Sequence, residues 1–193
     1  LASSKTSYND LIQDILNEKV VLIQTGWSGH DTYVVIYKNL LLKCNRGDQA
    51  ITPGVEVYMM KKAITPDIMQ NLHEAKEEEY FLNTIHEVLD LEKIYYLKMK
   101  PQKHGNCVWA SAKAAIRAAW FAVNFKAGLS RTAADRNARK NYKAFTTFIR
   151  RDCYNQDVQS LSSKVRFTLG KKYLLSLANA LEKNETRLIQ RAP

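Results

Sequence analysis

An α+β fold follows from the order of patterns along this sequence. One amphipathic helix comes first, then short runs rich in Val, Ile, Tyr and Leu between residues 20 and 99, then a stretch beyond residue 107 with helical periodicity throughout. The expected domain is a mostly antiparallel sheet of about five strands packed on a buried helix that begins at Cys107, with a helical C-terminal half.

Tyr8, Leu11, Ile12, Ile15 and Leu16 recur at helical spacing and predict a helix over 7–19. Val20 to Gln24 reads as a strand, and Thr25 to His30, with two glycines, as a turn. Thr32 to Tyr37 and Leu40 to Cys44 are expected to form a hairpin around Lys38-Asn39. A loop over 45–54, a strand over 55–61, a mostly helical stretch over 66–89 and a strand over 93–99 follow. Helices are expected over 107–127, 131–155 and 158–186, with Ser130 capping the second and Asp157 or Gln159-Ser160 opening the third. The helix after Cys107 is apolar nearly all round, from Ala114 to Val123, which predicts central burial. The expected organisation is one domain over 1–156, with a C-terminal helix over 157–193 that packs on it or leads to a further domain.

With 193 residues and 46% hydrophobic content, the chain supports a sizeable core. No apolar run is long and uncharged enough to span a membrane as a helix. Three cysteines without scaffold spacing point to a reducing compartment. No Cys/His grouping has zinc-ligand spacing, so neither metal nor cofactor is expected. The net charge of +10 is unevenly distributed: residues 101–193 hold 18 Lys/Arg and 5 Asp/Glu, residues 1–100 hold 11 and 14. Arg136, Arg139, Lys140, Lys143, Arg150 and Arg151 are expected to form an exposed stripe that docks an acidic partner or an anionic surface. Nucleic-acid binding is less favoured, because no aromatic-basic strand signature accompanies the charge.

The candidate chemistry is carried by Gln102-Lys103-His104-Gly105-Asn106-Cys107. Asn106 is a good N-cap, which puts Cys107 in the first turn of a helix. A thiol there meets the positive end of the helix dipole, which favours the nucleophilic thiolate. Cys44 and Cys153 read as structural. His30, held in a turn on a separate element, suits the base that such a thiol requires. His73 and His86 read as surface or packing residues, and His104 lies too close in sequence.

A third group is expected to orient the imidazole. With Lys38-Asn39 as a two-residue turn, paired positions sum to 77, so residues 45 and 47 share the face of His30. Asn45 is therefore favoured over Asp48, which has the wrong parity unless the chain leaves the strand at Arg46-Gly47. The Gln102 amide is suited to stabilise an oxyanion together with backbone N–H groups near Cys107. Trp27 and Trp109 flank the two reactive groups.

These residues resemble the clan CE cysteine peptidases, which include adenain and the SUMO proteases and run in the order His, Asp or Asn, Gln, Cys. The matching positions are His30, Asn45 or Asp48, Gln102 and Cys107. More narrowly, Gly26-Trp27-Ser28-Gly29-His30, Cys44-Asn45-Arg46-Gly47 and Gln102 to Ala110 are similar to a protease-like domain in effectors injected by intracellular bacteria. The resemblance implies a protein secreted by a bacterium into a host cell, acting in its cytosol or nucleus. It also implies a cysteine peptidase that cleaves a peptide or isopeptide bond in a host protein, one bearing ubiquitin or a ubiquitin-like modifier among the options. Two other classes remain open: an acyltransferase on the same scaffold, and a catalytically retired protein-binding module.

Overall fold

The computed structural model describes residues 7–27, 30–46, 53–74, 78–101 and 107–160, the side chains of 107–109 and 148–160 excepted. The chain falls into two compact units, residues 1–143 and 144–193. The first is α+β, as expected. Its elements are α1 (Tyr8–Leu16), β1 (Val21–Trp27), β2 (His30–Tyr37), β3 (Leu40–Asn45), β4 (Gly54–Met60), α2 (Pro66–Glu74), α3 (Ile85–Leu89), β5 (Leu91–Lys98), α4 (Cys107–Lys126) and the start of α5 (Arg131–Ser160).

Helix α1 starts where Ser7 accepts a hydrogen bond from the Asp10 amide while the Asp10 carboxylate takes the Ser7 amide, a reciprocal cap of about 1 kcal/mol. The five strands form one antiparallel sheet in sequence order, β1-β2-β3-β4-β5. The hairpin at Lys38-Asn39 has two turn residues, with Tyr37 opposite Leu40 and Tyr33 opposite Cys44. Lys38 takes the left-handed φ of 54° that so tight a turn requires, and its ammonium pairs with Glu18.

Two apolar layers cover the sheet. On one face Val35, Leu40, Leu42, Cys44, Val55 and Val57 pack on α4 through Ala114, Ala115, Ala118 and Phe121, with Ala134 and Ala138 of α5 closing the layer. Small residues on α4 bring the helix close to the sheet, and the fully buried Phe121 stacks on Tyr95. On the other face Ile23, Val34, Ile36, Leu41 and Tyr58 pack under Met69, Leu72, Phe81 and Ile85. A π-helical turn at Tyr80–Thr84 leads into α3.

Three expectations are corrected. The turn before His30 is shorter than predicted, since β1 continues through Thr25, Gly26 and Trp27, paired with Thr32, Asp31 and His30. Helix α5 does not break near residue 156 but runs to Ser160, so Asp157 and Gln159 lie inside it. Helix α4 is not enclosed all round, because Trp120 is 40% exposed. Of the expected basic stripe, Arg136, Arg139, Lys140 and Lys143 are exposed, and the side chains of Arg150 and Arg151 lie outside the described residues. Among the described residues no helix is long and apolar enough to cross a membrane.

Candidate functional site

The C-terminal end of β1 and the start of β2 bring Trp27 and His30 into register, with their rings 4.4 Å apart and tilted by 35°. Gly26 makes this approach feasible. Its φ is +147°, and a Cβ there would collide with the carbonyl oxygen of His30. His30 is 7% exposed, and its Nε2 donates to Asn45 Oδ1 at 2.9 Å. The hairpin register thus delivers Asn45 to the imidazole. Next to this pair, Thr32 Oγ1 donates to the Cys44 carbonyl at 2.6 Å and fixes the ends of β2 and β3.

The start of α4 is tied to the same strand ends. Ser111 Oγ donates to the Asp31 carbonyl at 3.2 Å, and Arg46 Nη1 donates to the Ala110 carbonyl at 3.3 Å. Arg46 also donates from Nη2 and Nε to the carbonyl of Lys100, at 2.7 and 3.1 Å. One guanidinium beside Asn45 therefore joins β3, the segment after β5 and the first turns of α4. At the far end Lys126 Nζ meets Asn39 Oδ1, so α4 runs alongside β2. Cys107 precedes Ser111 by four residues, about 6 Å of helix. The helix consequently opens level with the His30 end of the sheet. The side chain of Cys107 lies outside the described residues, as do Gln102 and Asp48 entirely.

The face on which His30 emerges is set by strand periodicity. His30, Thr32 and Val34 alternate with Asp31, Tyr33 and Val35, and the latter set faces α4. His30, Asn45 and Lys43 therefore share the sheet face of Tyr58 and Phe81.

Lys43 is a site residue that the sequence reading passed over. It is 3% exposed, and its Nζ meets His86 Nε2 at 3.0 Å and the Leu82 carbonyl at 3.4 Å. It also lies over the Phe81 ring, 4.7 Å from its centroid. Phe81 in turn packs on Trp27 at 5.7 Å. Burial pushes the Lys43 ammonium down to about 8, with Glu56 opposing and Lys93 adding to the shift. Burial, then Lys43, lowers His86 below the ordinary histidine range. The register held the signal, since Lys43 falls between Leu41 and Asn45 on the inward face. Cys44 faces the other way into the core, and burial pushes its thiol well above the ordinary range, as befits a structural cysteine. Among the described residues no group of His, Cys, Asp and Glu is arranged to hold a metal ion.

The fold is one used by a bacterial effector. The solved structure of the Legionella effector AnkH matches with a TM-score of 0.66 and 18% identity, covering 84% of this chain and 35% of that one. The chain thus spans about a third of that effector's length. The sequence matches the model of the Dot/Icm T4SS effector AnkD/LegA15 family over residues 26–189, and the chain belongs to that family. No curated protein matches it.

Membership corrects the resemblance to clan CE. The matching family and the matching fold are those of type IV secreted effectors, not of adenain or the SUMO proteases. Two positions already depart from the SUMO-protease pattern: Asp31 follows the histidine where Trp is usual, and Val108 follows the cysteine where Gly is usual. The effector and secretion parts of the expectation stand: the family is delivered into the host cell.

Proposed function

We propose that this chain is a part of the effector that engages a host protein as a binding module, with thiol chemistry at Cys107, served by the His30–Asn45 pair, as the alternative. The observation behind the thiol chemistry is the 2.9 Å bond from His30 Nε2 to Asn45 Oδ1, with a cysteine opening a helix level with that end of the sheet. With Nε2 committed to the amide oxygen, Nδ1 holds the lone pair that accepts the thiol proton. The thiolate attacks a carbonyl carbon, and the C=O π electrons move to oxygen. The Gln102 amide and backbone N–H groups at the helix start receive that oxyanion. On collapse the leaving amine takes the proton from His30. Water then cleaves the thioester and restores the thiol. The bond cleaved is a peptide or isopeptide in a host protein, with a ubiquitin-like modifier as one substrate class.

The binding module itself performs no chemistry. It is favoured by the burial of His30 under Trp27 and by its emergence on the sheet face opposite α4. Labelling with ubiquitin-type and acyl-CoA-type electrophiles, comparing the unmodified chain with Cys107→Ala, separates these readings. Adduct formation lost in Cys107→Ala supports thiol chemistry, and the reactive probe tells hydrolase from acyltransferase. No adduct with either probe leaves the binding module.

A further inference from the structure

Strand β1 is an edge of the sheet, and no strand among the described residues pairs with its outer side. Leu22, 46% exposed, and the exposed Gln24 lie along it. Beside this edge, α1, α2 and β1 enclose a groove of about 860 Å³. Leu11, Ile23 and Met69 contribute its apolar surface. Its polar wall is a network in which Tyr8 donates to Glu74 Oε1 at 2.8 Å and meets His73 Nδ1 at 3.0 Å.

The charge of this groove is opposite to that of the chain. The sequence carries 29 Lys/Arg against 19 Asp/Glu, yet among the described residues the lining holds Asp67 and Glu74 and neither Lys nor Arg. Hydrogen bonds from Gln70 and Tyr8, with His73 adding, hold the Glu74 carboxyl below the ordinary range, so it stays ionised. Asp67 lies exposed in the first turn of α2, with no hydrogen bond or ion pair among the described residues.

We propose that this groove receives an extended segment of a host protein bearing lysine or arginine, added to β1 as a further strand. Backbone N–H and C=O groups of the β1 edge supply sequence-independent pairing. Alternate side chains of the segment point into the groove, where Asp67 and Glu74 take a cation. The strand direction leads from Leu22 to Trp27, five residues or about 16 Å away, so such a segment continues toward the His30 end of the sheet.

The test pans the whole chain against a phage-displayed library of random short peptides. Selected peptides are expected to carry Lys or Arg at alternate positions and to increase hydrogen-exchange protection of the Leu22 and Gln24 amides. Asp67→Asn combined with Glu74→Gln, with the fold checked by circular dichroism, is expected to weaken binding about tenfold. Cys107→Ala is expected to bind equally well, so the result does not depend on thiol chemistry. The proposal is overturned if no peptide is selected, if the selected peptides lack cations, or if the double variant binds undiminished. It is equally overturned if the Leu22 and Gln24 amides are already protected in the free chain, which would mean that the edge is covered.

Discussion

His30 and Asn45, fifteen positions apart, meet across 2.9 Å, and that bond decides which ring nitrogen carries the proton. An amide oxygen only accepts, so the neutral imidazole keeps its proton on Nε2 and its lone pair on Nδ1. The imidazole end of the bond is buried, with the Trp27 ring packed on it, and low local exposure strengthens the bond. Asn45→Ala should therefore cost about 1 kcal/mol in urea unfolding. Nitrogen NMR of His30 should change from one tautomer to a mixture. A single tautomer retained in the variant would mean that Asn45 does not orient the ring.

The cysteines should differ in reactivity. Cys44 is fully buried with its thiol pushed far up, so iodoacetamide at pH 6.5 should leave it unmodified in the native chain. Cys107 should label faster than both Cys44 and Cys153, and His30→Ala should slow it about tenfold. Equal rates at all three, read by mass spectrometry, would count against an activated thiol.

Lys43 and His86 make stability depend on pH with a definite sign. Both are depressed in the fold, Lys43 to about 8 and His86 below its ordinary value. The unfolded chain thus binds more protons, and stability rises with pH. For Lys43 the gain runs from about 8 up to the ordinary 10.5. For His86 stability is lost as pH falls below the ordinary 6.5, because burial opposes its protonation and the new cation would then face Lys43. Lys43→Met should stabilise the chain at pH 7 by on the order of 1–3 kcal/mol, an advantage that shrinks by pH 10. Urea unfolding at both pH values checks this, and an unchanged or lower stability at pH 7 would contradict it.

The buried ion pair of Arg117 and Asp135 holds α4 to α5 within the first unit. Arg117 also donates to the Lys98 carbonyl at 3.1 Å, and Asp135 accepts from Arg139 at 3.0 Å. Asp135→Ala strands the buried guanidinium and should cost about 3–5 kcal/mol. Replacing the pair by Arg117→Met with Asp135→Leu should recover most of the loss. Equal destabilisation in both variants would show that packing, not the stranded charge, sets the cost.

Local chemistry made much of this protein legible from its sequence. The Lys38-Asn39 turn determined the pairing of β2 with β3, because a two-residue loop leaves one register and the period of two then assigns every face. Asn45 was reachable by that argument before any coordinates. Ser130 marked a helix start because caps act within one turn. The hairpin to His30 was misread for the opposite reason. Gly26 and Gly29 signal a turn in isolation, and the strand continues through Thr25, Gly26 and Trp27 only because Thr32, Asp31 and His30 lie opposite them. Likewise Asp157 carries a cap signal that the continuing α5 overrides. Three short motifs suggested a peptidase clan, whereas the match over residues 26–189 assigned an effector family, because a few site residues constrain descent far less than a whole fold. Tertiary structure alone decided that Lys43 meets His86, that Arg46 reaches Lys100 and Ala110, and that the His30 imidazole stacks on Trp27. The first two join residues more than forty positions apart, and the third needs the β1–β2 register and Gly26 together. No local period or propensity encodes those meetings; they exist only once the sheet and its covering helices have closed around them.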